Sequence, residues 1–124
     1  MRYLSLLLPI LLFSEESFIS HYEYGEMLYN NPRGVSCAEC HGKSGEGKVI
    51  VTYQDIHGKE AIKGIDIRTK TLAEMLKSVR TYHKVMPRYY LTDEEVKAIY
   101  DYLKTKNKHY IESNEDNHTN KVEM

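Results

Sequence analysis

Apolar residues recur every three or four positions in three stretches of the chain, which is the period of one face of an α-helix. The first stretch covers residues 20–30. The second begins at Thr69 or Thr71 and ends near Lys84, ahead of a proline. The third begins after Thr92. The pattern predicts a mostly helical protein. The stripe of the second stretch consists of Leu72, Met75, Leu76, Val79 and Tyr82.

The first predicted helix has a start signal and a glycine on its apolar face. Ser20 and Glu23 have the spacing of a capping box, which satisfies free backbone amides at a helix start. Gly25 and Tyr29 share the apolar face of this helix. A glycine inside a helix costs about 1 kcal/mol relative to alanine. Its presence at position 25 therefore indicates that another helix crosses closely there.

The last predicted helix has the clearest start signal in the chain. Leu91 and Val96 have the spacing of a hydrophobic staple, and Thr92 and Glu95 form a capping box between them. The sequence beyond this helix is polar and lacks a regular period, so we predict a disordered tail over 109–124.

A β-prone stretch separates the first two helical stretches. Residues 48–53 are rich in β-branched side chains, residues 56–59 have turn character, and residues 61–67 are apolar again. The pattern predicts a small β-hairpin or an irregular flap within 48–67.

The N-terminus has the features of an export signal. Arg2 precedes a short apolar run over residues 4–13, and we expect cleavage after Ser14, with Ser17 and Ser20 as alternatives. The run is shorter than the roughly 20 residues of a membrane-spanning helix, although an uncleaved anchor is the alternative. These features predict export to the bacterial periplasm.

Length and composition indicate one small domain. The chain has 124 residues, 41% of them hydrophobic, with 2 Phe and no Trp. A domain of this length buries only a small apolar core, and a bound apolar group would enlarge that core. We therefore divide the chain into a signal peptide over 1–14, a domain over 15–108 and a tail over 109–124.

Both cysteines of the chain lie in one run, Cys37-Ala38-Glu39-Cys40-His41. A Cys-x-x-Cys-His run is typical of covalent c-type haem attachment. The two thiols add to the haem vinyl groups as thioethers, and His41 becomes the proximal ligand of the iron. Attachment of this haem takes place outside the cytoplasm, in agreement with the export signal.

Three other chemistries use paired cysteines, and a simple structural disulfide is the least favoured of them. A structural zinc site needs about four ligands, and the remaining histidines lack paired spacing. A thiol–disulfide oxidoreductase places its cysteines after a strand in a βαβ pattern, which is missing before Cys37. Haem attachment is therefore favoured.

The sixth iron ligand decides whether a substrate can reach the iron. A methionine thioether favours the ferrous state and leaves no open position. Met86 precedes Pro87 in a loop far enough along the chain to cover the second haem face. Met75, by contrast, is in phase with a helical stripe, as a core residue would be. Other candidates are Met27, Met124, His83 and, more weakly, His57.

These motifs together resemble the class I mono-haem cytochromes c, the small soluble kind found in bacteria, over about residues 17–105. The resemblance implies an all-α fold of three to five helices around one covalent haem c. The matching motifs are Gly25-x3-Tyr29, Cys37-x2-Cys40-His41-Gly42, Met86-Pro87, Leu91-Thr92-Asp93-Glu94-Glu95 and Tyr102-Leu103.

The resemblance also implies which residues bind the haem and what the protein does. Cys37 and Cys40 would hold the haem covalently, with His41 and Met86 as iron ligands. The first and last helices would cross at Gly25. The protein would be a periplasmic one-electron carrier, a monomer that exchanges electrons with partner proteins and meets membranes only through partner complexes, without binding nucleic acid. The alternative is a haem enzyme or sensor with a labile sixth ligand.

One departure from the family concerns the proximal histidine. The family usually has a proline after the haem loop, whose carbonyl accepts the His41 N–H. This chain has Gly64-Ile65-Asp66-Ile67 there. The sequence alone therefore leaves the hydrogen-bond partner of His41 open.

Charge is distributed unevenly along the chain. The formal net charge is −1, but Lys and Arg outnumber Asp and Glu two to one over residues 43–88, and the flanking segments are acidic. Such asymmetry orients a protein toward a charged partner. We hypothesise that basic residues near the haem motifs dock acidic partners. They are Lys43, Lys48, Lys84 and Arg88.

Overall fold

The computed structural model describes residues 19–122, with side chains described as far as residue 118. The predicted signal peptide over 1–14 lies outside the described residues. Among those described, no helix is long and apolar enough to cross a membrane. The elements in chain order are α1 (His21–Asn30), α2 (Cys37–His41), β1 (Lys48–Asp55), β2 (Gly58–Gly64), α3 (Leu72–Arg80), α4 (Asp93–Lys106) and α5 (Lys108–Val122).

The predicted mostly helical fold with a small hairpin is confirmed. Strands β1 and β2 pair antiparallel, with a bulge between Val49 and Val51. Gly58 follows the turn with φ of 112°, a conformation that suits glycine. Every residue of β1 is exposed, so the hairpin projects from the helical body and adds little to its core.

Helices α1 and α4 cross at Gly25, as the sequence predicts. A Cβ atom at position 25 would overlap the Ala98 carbonyl and lie 2.7 Å from the Tyr102 Cβ. Only glycine allows this close approach. The crossing buries Tyr29 and Leu103 completely or almost completely, so it forms the centre of the core.

Capping fixes the starts of α1 and α4. The Ser20 hydroxyl accepts the Glu23 backbone N–H at 3.1 Å. At α4, both halves of the predicted capping box form between Thr92 and Glu95. These contacts satisfy amides that a helix start otherwise leaves without partners.

Helix α3 starts at the Thr71 cap but ends at Arg80, four residues before the predicted end. Residues of the loop that follows donate hydrogen bonds to carbonyls in the last turn of α3. The Tyr89 backbone N–H donates to the Val79 carbonyl at 2.9 Å, and a His83 ring nitrogen donates to the Ser78 carbonyl at 2.8 Å. These tertiary hydrogen bonds replace further helical turns.

The chain beyond residue 107 also differs from the prediction. Where the sequence predicts a disordered tail over 109–124, the structure has α5. The Arg68 guanidinium lies 3.5 Å from the centre of the Tyr110 ring, a cation–π contact that ties the start of α5 to the domain. Lys108 and Glu112 approach to 4.0 Å with the spacing of a helical ion pair.

Candidate cofactor-binding site

A cavity of about 290 Å³ lies between the helices and the base of the hairpin. Helices α1 to α4 and both strands contribute to its wall, which is mostly apolar. The predicted site residues Cys37, Cys40, His41 and Met86 all line it. The fold therefore brings Met86 next to a motif that is distant in sequence.

The cysteines reach the cavity because α2 is helical. The Ser36 hydroxyl caps this short helix by accepting the Ala38 backbone N–H at 3.1 Å. Residues three apart on a helix share a face, so Cys37 and Cys40 both face the cavity as free thiols. The backbone of Cys40 packs against Gly64, where any Cβ atom would overlap its carbonyl.

The surroundings of Cys37 keep its thiol protonated. Burial, and secondarily the neighbouring Cys40, raises the pKa of Cys37 to about 12. Disulfide oxidoreductases need a lowered pKa, because the thiolate is their nucleophile. The site therefore disfavours thiol–disulfide chemistry.

A backbone carbonyl orients His41. Its Nδ1 lies 2.8 Å from the Ile65 carbonyl oxygen, and a carbonyl only accepts, so Nδ1 carries the proton. Nε2 then keeps a lone pair for a metal ion. The Ile65 carbonyl thus makes the contact that the resemblance stated above would assign to a proline carbonyl. Because the acceptor is a main-chain atom, the side chain at position 65 does not have to be proline.

Three of the candidates for the sixth ligand line the cavity. Met86 is partly buried and lines the cavity, as do His83 and the core residue Met75. His57 and Met27 do not line it, and Met27 is 49% exposed on α1. Met124 lies outside the described residues. His83 already has one ring nitrogen engaged by the Ser78 carbonyl.

One hydrogen bond and two lysines of the site had no functional signal in the sequence. The buried Tyr29 hydroxyl donates to the Gly42 carbonyl at 2.5 Å, which ties α1 to the end of the cysteine motif. Lys63 and Lys70 bring cationic side chains to the cavity wall. None of the four basic residues expected at a docking surface lines the cavity, although all four are exposed.

The donor set fits a covalent haem. Two thiols share a helical face, one imidazole nitrogen is free beside them, and a thioether shares the same apolar cavity. Paired thiols and an adjacent imidazole are the groups that attach and ligate c-type haem, and a thioether is one of the side chains that can supply a further iron ligand. In the described part of the chain, no cluster of three or more His, Cys, Asp or Glu could hold a metal ion by itself.

Comparison with known proteins gives one finding. A protein-family model described as cytochrome c matches residues 22–107, which span α1 to α4. No curated protein and no solved structure gives a significant match.

Proposed function

Because the chain belongs to the cytochrome c family, we propose that it is a periplasmic one-electron carrier whose haem iron is ligated by His41 and Met86. Members of this family carry covalent haem c, whose iron supplies the one-electron Fe(III)/Fe(II) couple. The observation that carries the proposal is the convergence of the cysteine motif and Met86 on one apolar cavity.

Each residue of the site has a role in this proposal. Cys37 and Cys40 hold the haem by thioether bonds, which keeps it in place during many redox cycles. His41 binds the iron through Nε2, while the Ile65 carbonyl fixes the ring orientation and increases its basicity as a ligand. Met86 closes the remaining position, so the protein accepts and releases electrons without binding a substrate.

Met86 ligation is tested by the long-wavelength absorption band of the ferric protein that marks methionine–iron bonding. We expect the band in the wild type and its loss in Met86→Leu. Met27→Leu is the matched control, because Met27 is exposed and does not line the cavity. If the wild type gave a low-spin ferric spectrum without this band, and His83→Gln but not Met86→Leu abolished the low-spin spectrum, His83 would be the ligand instead.

The second candidate function is a haem enzyme or sensor with a labile sixth ligand. It is favoured by one observation, the lack of helix or strand over residues 81–92, where Met86 lies. A high-spin ferric spectrum of the purified wild-type holoprotein would support this function and reject the closed carrier.

The surface around the cavity suggests how partners dock. Ile50, Ile65 and Val85 line the cavity and are exposed, and Lys63 and Lys70 lie among them. An apolar contact with surrounding lysines suits a weak, fast complex with an acidic redox protein. We propose that the protein meets such partners as a monomer.

Cell fractionation with N-terminal sequencing of the mature chain tests the periplasmic location.

A further inference from the structure

The loop that carries Met86 depends on contacts with another loop. Residues 81–92, here called the Met86 loop, connect α3 and α4 without helix or strand. Residues 31–36 likewise connect α1 to the cysteine motif. A loop of this kind keeps its conformation only through tertiary contacts, and the structure provides them near residues 89 and 90.

Arg33 makes the first set of contacts. Its guanidinium pairs with the Glu95 carboxylate through two N–O contacts of 2.8 Å and also donates to the Tyr90 carbonyl at 3.0 Å. A bidentate pair of this geometry is among the stronger polar contacts in proteins. Glu95 is only 8% exposed and also caps α4 through Thr92, so Arg33 binds to a fixed partner.

The backbone of Arg33 is itself unusual. Its φ of 60° lies in the left-handed region, which costs a non-glycine residue free energy. Such a conformation persists where surrounding contacts compensate for it. The contacts of the guanidinium with Glu95 and Tyr90 provide that compensation.

Tyr89 makes the second set of contacts. Its side chain is 8% exposed, and its hydroxyl donates to the Val35 carbonyl at 2.7 Å. Its ring also lies beside Gly34, where an added Cβ would be 3.5 Å away. Burial raises the pKa of Tyr89 to about 12, so the hydroxyl keeps its proton in neutral solution. Residues 33–35, just before the first cysteine, therefore hold the Met86 loop at two adjacent positions.

We propose that Arg33 and Tyr89 are positioning residues that keep Met86 on the haem iron, by fixing the Met86 loop to the segment that precedes Cys37. The inference rests on the proposed Met86 ligation and goes beyond it. The α1–α4 crossing is formed by other residues, Gly25 against Ala98 and Tyr102, so we expect the helical core to stay folded when the loop opens. Whether the protein is a closed carrier or binds external ligands is then decided at residues 33 and 89.

The test uses the ferric holoprotein and two readouts, the methionine–iron band and the affinity for added imidazole. In Arg33→Ala we expect a weaker band and about tenfold tighter apparent imidazole binding, because loss of the charged hydrogen bond to the Tyr90 carbonyl, the one Arg33 contact with the loop, shifts the opening equilibrium by about that factor. Tyr89→Phe should act in the same direction, and it removes only one oxygen atom. Helix content by circular dichroism should stay unchanged.

Two further variants separate the side chain from the backbone. Lys97→Ala removes another ion pair of α4, with Asp101 at 2.8 Å, and should leave both readouts at the wild-type value. Arg33→Gly suits the positive φ but lacks the guanidinium, so it should behave as Arg33→Ala does. A wild-type spectrum in Arg33→Gly would assign the effect to backbone strain and overturn the role of the guanidinium.

The outcomes also distinguish this inference from the proposed function. If the wild type lacks the methionine–iron band, the proposed ligation fails. If the wild type has the band, and Arg33→Ala and Tyr89→Phe keep both it and the wild-type imidazole affinity, the ligation stands and the positioning role is wrong.

Discussion

At the scale of single residues, the side chains of the site were predictable from their motifs, but the main-chain groups that hydrogen-bond to them were not. Cys37, Cys40 and His41 form a pattern that sequence alone displays, and the fold places all three at one cavity. The Ile65 carbonyl that orients His41 has no such signature, because every residue has a carbonyl. The contacts of Arg33 with Glu95 likewise depend on a loop conformation that no spacing rule specifies.

The Glu95 carboxylate predicts a pH dependence of stability. Hydrogen bonds from Arg33, then from the Thr92 backbone, lower the pKa of Glu95 from 4.5 to about 2. A carboxylate with a lowered folded-state pKa stabilises the protein above its unfolded-state pKa, and this contribution disappears as pH falls toward the folded-state value. We expect the urea concentration at the unfolding midpoint to decrease as the pH is lowered from 4.5 to 2.

Glu95→Gln provides the control for this prediction. Glutamine keeps the capping geometry of α4 but does not titrate. The difference in urea midpoint between wild type and variant should therefore shrink as the solution is acidified through this range. A constant difference at all pH values would show that the carboxylate charge does not stabilise the fold.

At the scale of elements, the starts of α1, α3 and α4 and the end of α1 were predictable, whereas the end of α3 and the presence of α5 were not. Thr71 and Thr92 cap their helices by local side-chain contacts, which sequence spacing reports. The end of α3 at Arg80 depends on the Tyr89 N–H, which comes from a distant residue. Helix α5 is similar, because the Arg68–Tyr110 contact joins residues far apart in the chain.

The α1–α4 crossing predicts that Gly25→Ala destabilises the protein. Alanine would improve helix propensity by about 1 kcal/mol, but its Cβ overlaps the Ala98 carbonyl, and overpacking costs about 1–3 kcal/mol or more. Because the overlap is with backbone, we expect a net loss of about 2 kcal/mol in the free energy of unfolding. Denaturant titration of the holoprotein measures it. Met27→Ala, exposed on the same helix, should change stability far less.

At the scale of the whole molecule, local charge and net charge predict opposite effects of salt on the rate of reaction with an anionic redox reagent. The formal net charge is −1, which would repel ferricyanide. The cavity wall, however, carries Lys63 and Lys70, and residues 43–88 are basic. Electrons exchange where the haem is nearest to solvent, so the charges beside the cavity should govern the approach.

We therefore expect the oxidation of the ferrous protein by ferricyanide to slow several-fold between about 10 mM and about 150 mM salt, as the screening length falls from about 30 Å to about 8 Å. Stopped-flow absorbance measures the rate. The double variant Lys63→Gln and Lys70→Gln should flatten this dependence. Lys59 is on the same strand as Lys63 but does not line the cavity, so Lys59→Gln should keep the salt dependence. A rate that rises with salt would mean that net charge governs the approach, and the cavity lysines would then have no part in docking.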